Sequence, residues 1–327
     1  MLGRRSVASF LVTAVLFGGT FVGAKAGLAY FPPLLFVAFR YDVAALVLGG
    51  WVVATVPQSE RVPRTRGDVA GILATGILVI GLTNGLLFVG QQYATSAVGS
   101  IVFSLNPVLT PVFAAALLSD ERLTARGAVG LLLALVGVGL VVDPNPSNLL
   151  AGSVVGKAVL FGGAVTGALG TVLIRRADAD LSSTVRTAWG LPIAALLNHA
   201  LSAAAGESVA SVTLTPTAVA ALLYVSVFAG AVAYVAYFAL IDSAGAINAN
   251  LVHYAVPIVA TAGGWALLGE TVSATVLAGF LAILVGFAVI GSESVPLRSL
   301  IPVGRVADRP SESRIGVGEE PNGFESD

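Results

Sequence analysis

Apolar residues run along this chain in blocks too long for strands and too continuous for helices with one wet face. Ten blocks stand out, at roughly 6–24, 34–55, 68–89, 95–117, 125–142, 153–175, 184–203, 216–238, 246–268 and 273–291. Each approaches the 17–25 residues, or about 30 Å of helix, needed to cross a hydrocarbon core. Turn and loop chemistry separates them: Pro32-Pro33, the stretch from Pro57 to Asp68, Asp120-Glu121-Arg122, Asp143-Pro144-Asn145-Pro146, Arg175 to Asp180, and Ser211 to Pro216. The pattern predicts an all-α membrane protein with ten transmembrane helices. From Val295 the sequence turns polar and acidic, which predicts a disordered tail over 293–327.

The blocks repeat. Phe17-Gly18-Gly19 with Gly23 recurs as Phe161-Gly162-Gly163 with Gly167, an offset of 161 − 17 = 144 residues. Pro107 and Pro257 follow at 257 − 107 = 150, and Glu121 and Glu270, each after a Leu-Leu pair, at 270 − 121 = 149. Two repeats, 1–145 and 146–292, would each hold five helices. Because five is odd, the second would enter the membrane upside down relative to the first, the plan of many secondary transporters.

Composition agrees: 56% of the 327 residues are hydrophobic and 11% charged, with mean hydropathy +0.92. A water-soluble domain carries roughly 25% charged residues. The net charge of −1 gives no footing for a nucleic-acid partner, and the absence of cysteine excludes disulfides and thiolate chemistry. Fifteen arginines against two lysines, with abundant Ala, Val, Gly and Leu, suggest a high-GC prokaryote. The position of the cations says more than their sum. With the N-terminus inside, ten spans put all but Lys25, Arg40 and Lys157 on the inner side, 17 − 3 = 14 cations. That asymmetry predicts a multi-pass protein of the cytoplasmic membrane with both termini cytoplasmic. Arg4-Arg5 before an apolar run also suits a signal peptide, but the same glycine motif recurs mid-chain, so the first block is read as a mature helix.

These landmarks resemble the drug/metabolite transporter superfamily, specifically proteins with two EamA-type repeats. A small-residue cluster opens the first helix (Phe17 to Lys25). The second helix begins with Pro33 and reaches Arg40, then Ala44-Ala45. An embedded proline in the fourth leads into Leu117-Leu118, Glu121, Leu123 and Thr124, echoed by Leu267-Leu268, Glu270, Val272 and Ser273. The resemblance covers about residues 10–291. Phe17 replaces the tryptophan common near the start of the pattern, and Arg40 has no counterpart in the second half. It implies a carrier of small metabolites, with four helices of each half around a cavity and the fifth and tenth as buttresses.

Several residues could carry the chemistry. Gly19, Gly23, Gly163 and Gly167 sit at GxxxG spacing, which lets helices approach closely and predicts packing of the first helix on the sixth. Arg40 is a charge in a membrane helix, costly unless paired or facing a cavity. It either meets an anionic substrate group or forms a structural or snorkelling contact, and Asp42 points to another face. His253 is a candidate proton carrier or a hydrogen-bonded imidazole, with Asn250 and Tyr254 beside it. His199 falls near the outer edge. Asn84 and Asn106 add polarity within the blocks. Pro107 and Pro257 free backbone carbonyls and offer hinges. Glu121 and Glu270 are read as acceptors for N–H groups at the start of the following helix.

No nucleophile–base pair, His-Glu-x-x-His or phosphate-binding loop is present, so no enzyme, metal site or cofactor is expected. The expectation is a secondary transporter moving a small polar metabolite by alternating access, either linked to protons through His253 or driven by the solute gradient alone. The alternative is a passive channel or a non-transporting scaffold. Expected partners are the solute, the bilayer and a second copy of the chain.

Overall fold

The computed structural model describes residues 4–118, 124–142, 152–233, 236–237, 240 and 252–291. Among the described residues every regular element is helical. The principal helices are α1 (Arg4–Gly27), α2 (Pro33–Thr55), α3 (Arg66–Gln91), α4 (Ser96–Leu117), α5 (Ala125–Val142), α6 (Gly152–Ala177), α7 (Ser183–Ala204), α8 (Pro216–Val232), α9 (Val252–Leu268) and α10 (Ala274–Gly291). The first six are long and apolar enough to cross a membrane, while α8, α9 and α10 are shorter apolar helices. The length of α7 is 22 residues, but it carries Arg186, Asn198 and His199. The expected tail over 293–327 lies outside the described residues, as do Glu121 and Asn250.

Local chemistry sets the helix ends. Thr65 and Asp68 form a reciprocal capping box at the start of α3. The side chains of Thr95, Ser182 and Thr215 accept N–H bonds at the starts of α4, α7 and α8. Gly206 and Gly269, both at positive φ, end α7 and α9 where a side chain would be strained. In α4, two turn residues, Ser104 and Leu105, separate Ser96–Phe103 from Asn106–Leu117. The break lies one turn before Pro107, whose ring excludes a bond to the Phe103 carbonyl. Helix α9 instead runs unbroken past Pro257.

Matched partners reveal helix directions. Gly130 approaches Gly286 while Gly137 approaches Gly279, so α5 and α10 are antiparallel. Asp42 meets His199 while Val52 clusters with Val185, so α2 and α7 are antiparallel too. In contrast, Gly18 lies against Val256 and Val259 while Val22 meets Gly263, which makes α1 and α9 parallel. The same relation holds for α4 and α6, where Phe103 meets Gly163 and Asn106 meets Gly167. Advancing each helix number by five maps α1–α9 onto α6–α4, α3–α6 onto α8–α1 and α3–α7 onto α8–α2, and all six pairs are packed together.

One feature of the backbone was not foreseen. Ala74–Leu82 in α3 and Tyr224–Val232 in α8 are π-helical, separated by 224 − 74 = 150 residues. Such wide turns are rare and frequently accompany functional positions.

Candidate functional site

The π segment of α3 delivers two polar residues in succession. In the widened turn the Thr83 hydroxyl donates back to the Leu78 carbonyl at 2.7 Å, and the next residue, Asn84, donates to Ile80 at 2.9 Å. Thr83 thereby faces α6, with its hydroxyl 3.1 Å from that of Thr166. Asn84 faces α2 and accepts from Arg40 Nη1 at 3.1 Å.

Arg40 is 4% exposed. Its guanidinium lies 5.1 Å from the Tyr41 ring centroid and 5.7 Å from that of Phe88, within range of cation–π attraction. Its Nε is buried without a partner. No carboxylate among the described residues forms an ion pair with it. Asp42 turns away, as its position two residues on requires, and pairs with His199 of α7 at 2.8 Å. Arg40 is therefore a buried cation held by a neutral amide and two rings.

Asn106 belongs to a second cluster, at the junction of α3, α4 and α6. Its amide lies against the backbone of Gly167, next to Thr83, and Gly163 accommodates Phe103. On the other side, Gly19 and Gly23 accommodate Tyr224 and Val225 of α8, and the Tyr224 hydroxyl donates to the carbonyls of Val15 and Leu16 at 3.3 Å. The expected packing of the first helix on the sixth through these glycines is thus corrected. Each run makes room for bulky side chains from neighbouring helices, Tyr224 in one case and Phe103 with Asn106 in the other, rather than for the other glycine helix.

His253 lies between aromatic rings: Phe17, nearly parallel at 6.2 Å between centroids, and Tyr237 at 5.8 Å. Subtracting 150 gives Phe103, which packs edge-on against Phe21 at 5.9 Å. The histidine occupies an aromatic packing position of the repeat. Tyr254 points elsewhere, its ring 4.1 Å from Phe287 of α10 and its buried hydroxyl without a partner. Arg40 and Asn84 are brought together; Asn106, His253 and Tyr254 sit in separate environments.

Glu270 does not serve the helix that follows it. Both its oxygens accept from Ser96 N, at 2.9 and 3.1 Å, at the start of α4. The start of α10 is served by Ser273, whose hydroxyl accepts from Val276 N at 3.2 Å. The short Ser273 side chain reaches its own first turn, which leaves the longer glutamate free to cross to the other half. Next to it, Lys25 Nζ donates to the Gln91 carbonyl at 2.9 Å, and Gln91 Nε2 donates to that of Phe21.

The EamA-like transporter family pattern matches this chain twice, at residues 4–143 and 155–292. The chain belongs to the EamA-like transporter family. Among relatives, the uncharacterized transporter YvbV of Bacillus subtilis is 27% identical over 88% of this chain and 90% of its own length. A probable amino-acid metabolite efflux pump of Salmonella typhimurium is 25% identical over 84% of this chain and 91% of its own. A solved crystal structure superposes with a TM-score of 0.60 at 22% identity, covering 88% of this chain and 98% of that one, which establishes the fold alone.

This EamA-like transporter is therefore a multi-pass membrane protein of a transport family, not of an enzyme family. Sequence reasoning missed Asp42–His199, Glu207, Asn198 and both π segments. A signal for the first was available. The triplet Ala44-Ala45-Leu46 recurs as Ala194-Ala195-Leu196, again at 150, with its leucines 77% and 72% exposed. That register sets Asp42 opposite Pro192 and His199 opposite Gly49, marking both ionisable residues as foreign to the repeat.

Proposed function

We propose that this chain is a secondary carrier for small metabolites bearing a carboxylate, built as two five-helix halves, 1–145 and 146–292, inserted in opposite senses with both termini cytoplasmic. The observation that carries the substrate class is Arg40: a buried guanidinium without a counter-ion among the described residues. A charge in such surroundings costs several kcal/mol, and an anionic solute would relieve that cost on binding. Asn84 positions the guanidinium, and the adjacent π turn in α3 provides a segment that can change its hydrogen-bond register as the halves move. The double family match and the antiparallel α2–α7 and α5–α10 pairs support the inverted arrangement. The name of the Salmonella relative supports amino-acid metabolites as the first solutes to try.

Counter-flow in proteoliposomes tests the reading. Loaded with a panel of amino-acid metabolites and their carboxamide analogues, the full chain should concentrate label only for solutes with a free carboxylate. Arg40→Ala should reduce that uptake by about tenfold or more, the worth of a charge-assisted hydrogen bond, while Arg40→Lys retains part of it. A panel without any counter-flow would leave the channel or scaffold reading. Equal transport of acids and amides would remove Arg40 from substrate recognition. Repeating the assay with and without a pH gradient tests proton linkage.

A further inference from the structure

We infer that the seam between α3 and α6 is a binding site for one anionic phospholipid, an assignment independent of which solute is carried. Two cavities of about 510 and 460 Å³ share Ala70 and Leu73 and so form one groove on the outer surface. Its deeper part is apolar, lined by Leu73, Ala74, Ile77 and Leu78 of α3 and Leu173 of α6. The end near the loop before α3 is lined by Arg64, Thr65 and Arg66, and Arg176 borders the groove from α6.

Three observations select the ligand. First, Arg64, Arg66 and Arg176 are exposed, and none of their guanidinium groups has an ion pair or hydrogen bond among the described residues. Of the nearby carboxylates, Asp68 is buried and committed to the backbone N–H groups of Arg64, Thr65 and Leu181. Neither Glu60 nor Asp178, two residues beyond Arg176, forms an ion pair with any of the three among the described residues. Second, Arg66, Val69, Ala70, Leu73, Ala74 and Ile77 follow helical spacing, so the groove runs lengthwise along α3. From Arg66 to Ala74 is about 12 Å at 1.5 Å per residue, and the π segment carries the groove on to Leu78, which matches about 15 Å for half the hydrocarbon core. An acyl chain fits along it with the headgroup at the arginines. Third, Val69 and Leu73 are exposed apolar residues on a membrane helix, so the groove opens towards lipid. Basic pockets between membrane helices at the interface are suited to phosphate-bearing headgroups, with each arginine contributing about fivefold in affinity. The groove borders the π segment of α3 and joins the two family-matched regions, so an occupant would brace α3 against α6.

The test is lipid retention by the full-length protein. Delipidated protein in neutral detergent is titrated with phosphatidylglycerol or phosphatidylcholine, and bound lipid is read by native mass spectrometry alongside the melting temperature. Phosphatidylglycerol should be retained preferentially and raise Tm. Arg176→Gln should reduce that preference about fivefold, whereas Arg175→Gln, next in the chain but off the groove, leaves it intact. Ala70→Trp, which fills the shared part of the groove, should abolish retention while the arginines remain. Equal retention of the two lipids would overturn the assignment, as would an unchanged preference in Arg176→Gln. Displacement by glycerol phosphate as effective as that by phosphatidylglycerol would also overturn it, because the site would then recognise a free phosphate and not a lipid.

Discussion

Two seams hold equivalent helices together, and they are built from opposite materials. At the α5–α10 seam, Gly130 faces Gly286 and Gly137 faces Gly279, so each half contributes two glycines seven residues apart. The contact obeys the repeat exchange and involves backbone against backbone. At the α2–α7 seam the triplets Ala44-Ala45-Leu46 and Ala194-Ala195-Leu196 obey the same exchange, yet the polar groups do not. Asp42 and His199 meet towards one end, and their repeat counterparts are Pro192 and Gly49. Beside the seam, Arg40 and Asn198 reach Asn84 and Gly81 of α3, and the counterpart of Arg40 is Gly190. Steric closeness is symmetric because both copies of a repeat must pack. The one-sided polar chemistry agrees with the proposed reading, in which the solute meets a single constellation of charges, and duplicating a buried guanidinium would double its cost.

The largest expected effect breaks the symmetric seam. A Cβ at Gly137 would approach the Gly279 carbonyl to 2.6 Å, and the obstacle is backbone, not a side chain that could swing away. Gly137→Leu should destabilise the fold by about 3 kcal/mol or more, the upper range for overpacking. Gly139→Leu is the control: a Cβ there meets nothing within 4 Å. Melting in detergent, followed by light scattering or tryptophan fluorescence, should show a large loss for the first and almost none for the second. Similar melting of the two variants would mean that α5 and α10 are not pressed together.

The difference between the seams also explains what could be read in the chain. Apolar block lengths and the Pro-to-Glu spacing announced a duplicated helical membrane protein, because lipid demands long uninterrupted apolar runs and repeats leave landmarks in register. Arg40 and Asn84 were legible as polar residues in apolar surroundings. Their pairing was not, since it depends on the π turn at Ala74–Leu82, whose altered phase no α-helical periodicity reveals. The partner of Glu270 was misjudged for a related reason. The local reading attached it to the next helix, whereas its carboxylate reaches Ser96, 174 residues away in sequence. Residue type alone left His253 open between a proton carrier and a packed imidazole, and its contacts with Phe17 and Tyr237 fall at the repeat position that Phe103 holds in the first half. His253→Phe should therefore keep most of the counter-flow activity of the wild type. Loss of transport in a well-folded His253→Phe protein would restore the histidine to the mechanism.

A smaller effect probes how the polar seam is anchored. After the turn at Gly206, Glu207 accepts from Leu34 N at 3.2 Å and Leu35 N at 2.8 Å, and from the Ser202 hydroxyl at 2.8 Å. It serves as the cap that Pro32, at the start of α2, has no side-chain oxygen to provide. Glu207→Ala leaves two N–H groups at a helix start without this partner, and should cost about 1–2 kcal/mol. Glu207→Gln, which keeps an acceptor but removes the charge that suits a helix N-terminus, should recover about half. A drop in Tm that is identical for both variants would show that charge, not hydrogen bonding, provides the cap.

The Asp42–His199 pair should give the smallest change in stability. It spans α2 and α7 at 2.8 Å, but the histidine is 38% and the aspartate 46% exposed, so the attraction is discounted for screening. Exposed pairs contribute about 0.2–1 kcal/mol. The exposed leucines nearby in sequence, Leu46 and Leu196, would raise that figure if they excluded water from the pair. A double-mutant cycle with Asp42→Asn and His199→Gln, read as coupling energy in thermal melts, separates the two cases. Coupling within the exposed-pair range, weakening as salt is added, means that water reaches the seam at this depth. Coupling well above that range and indifferent to salt would mean that the bilayer seals the pair, making this end of the α2–α7 seam as dry as the glycine contacts of α5 and α10.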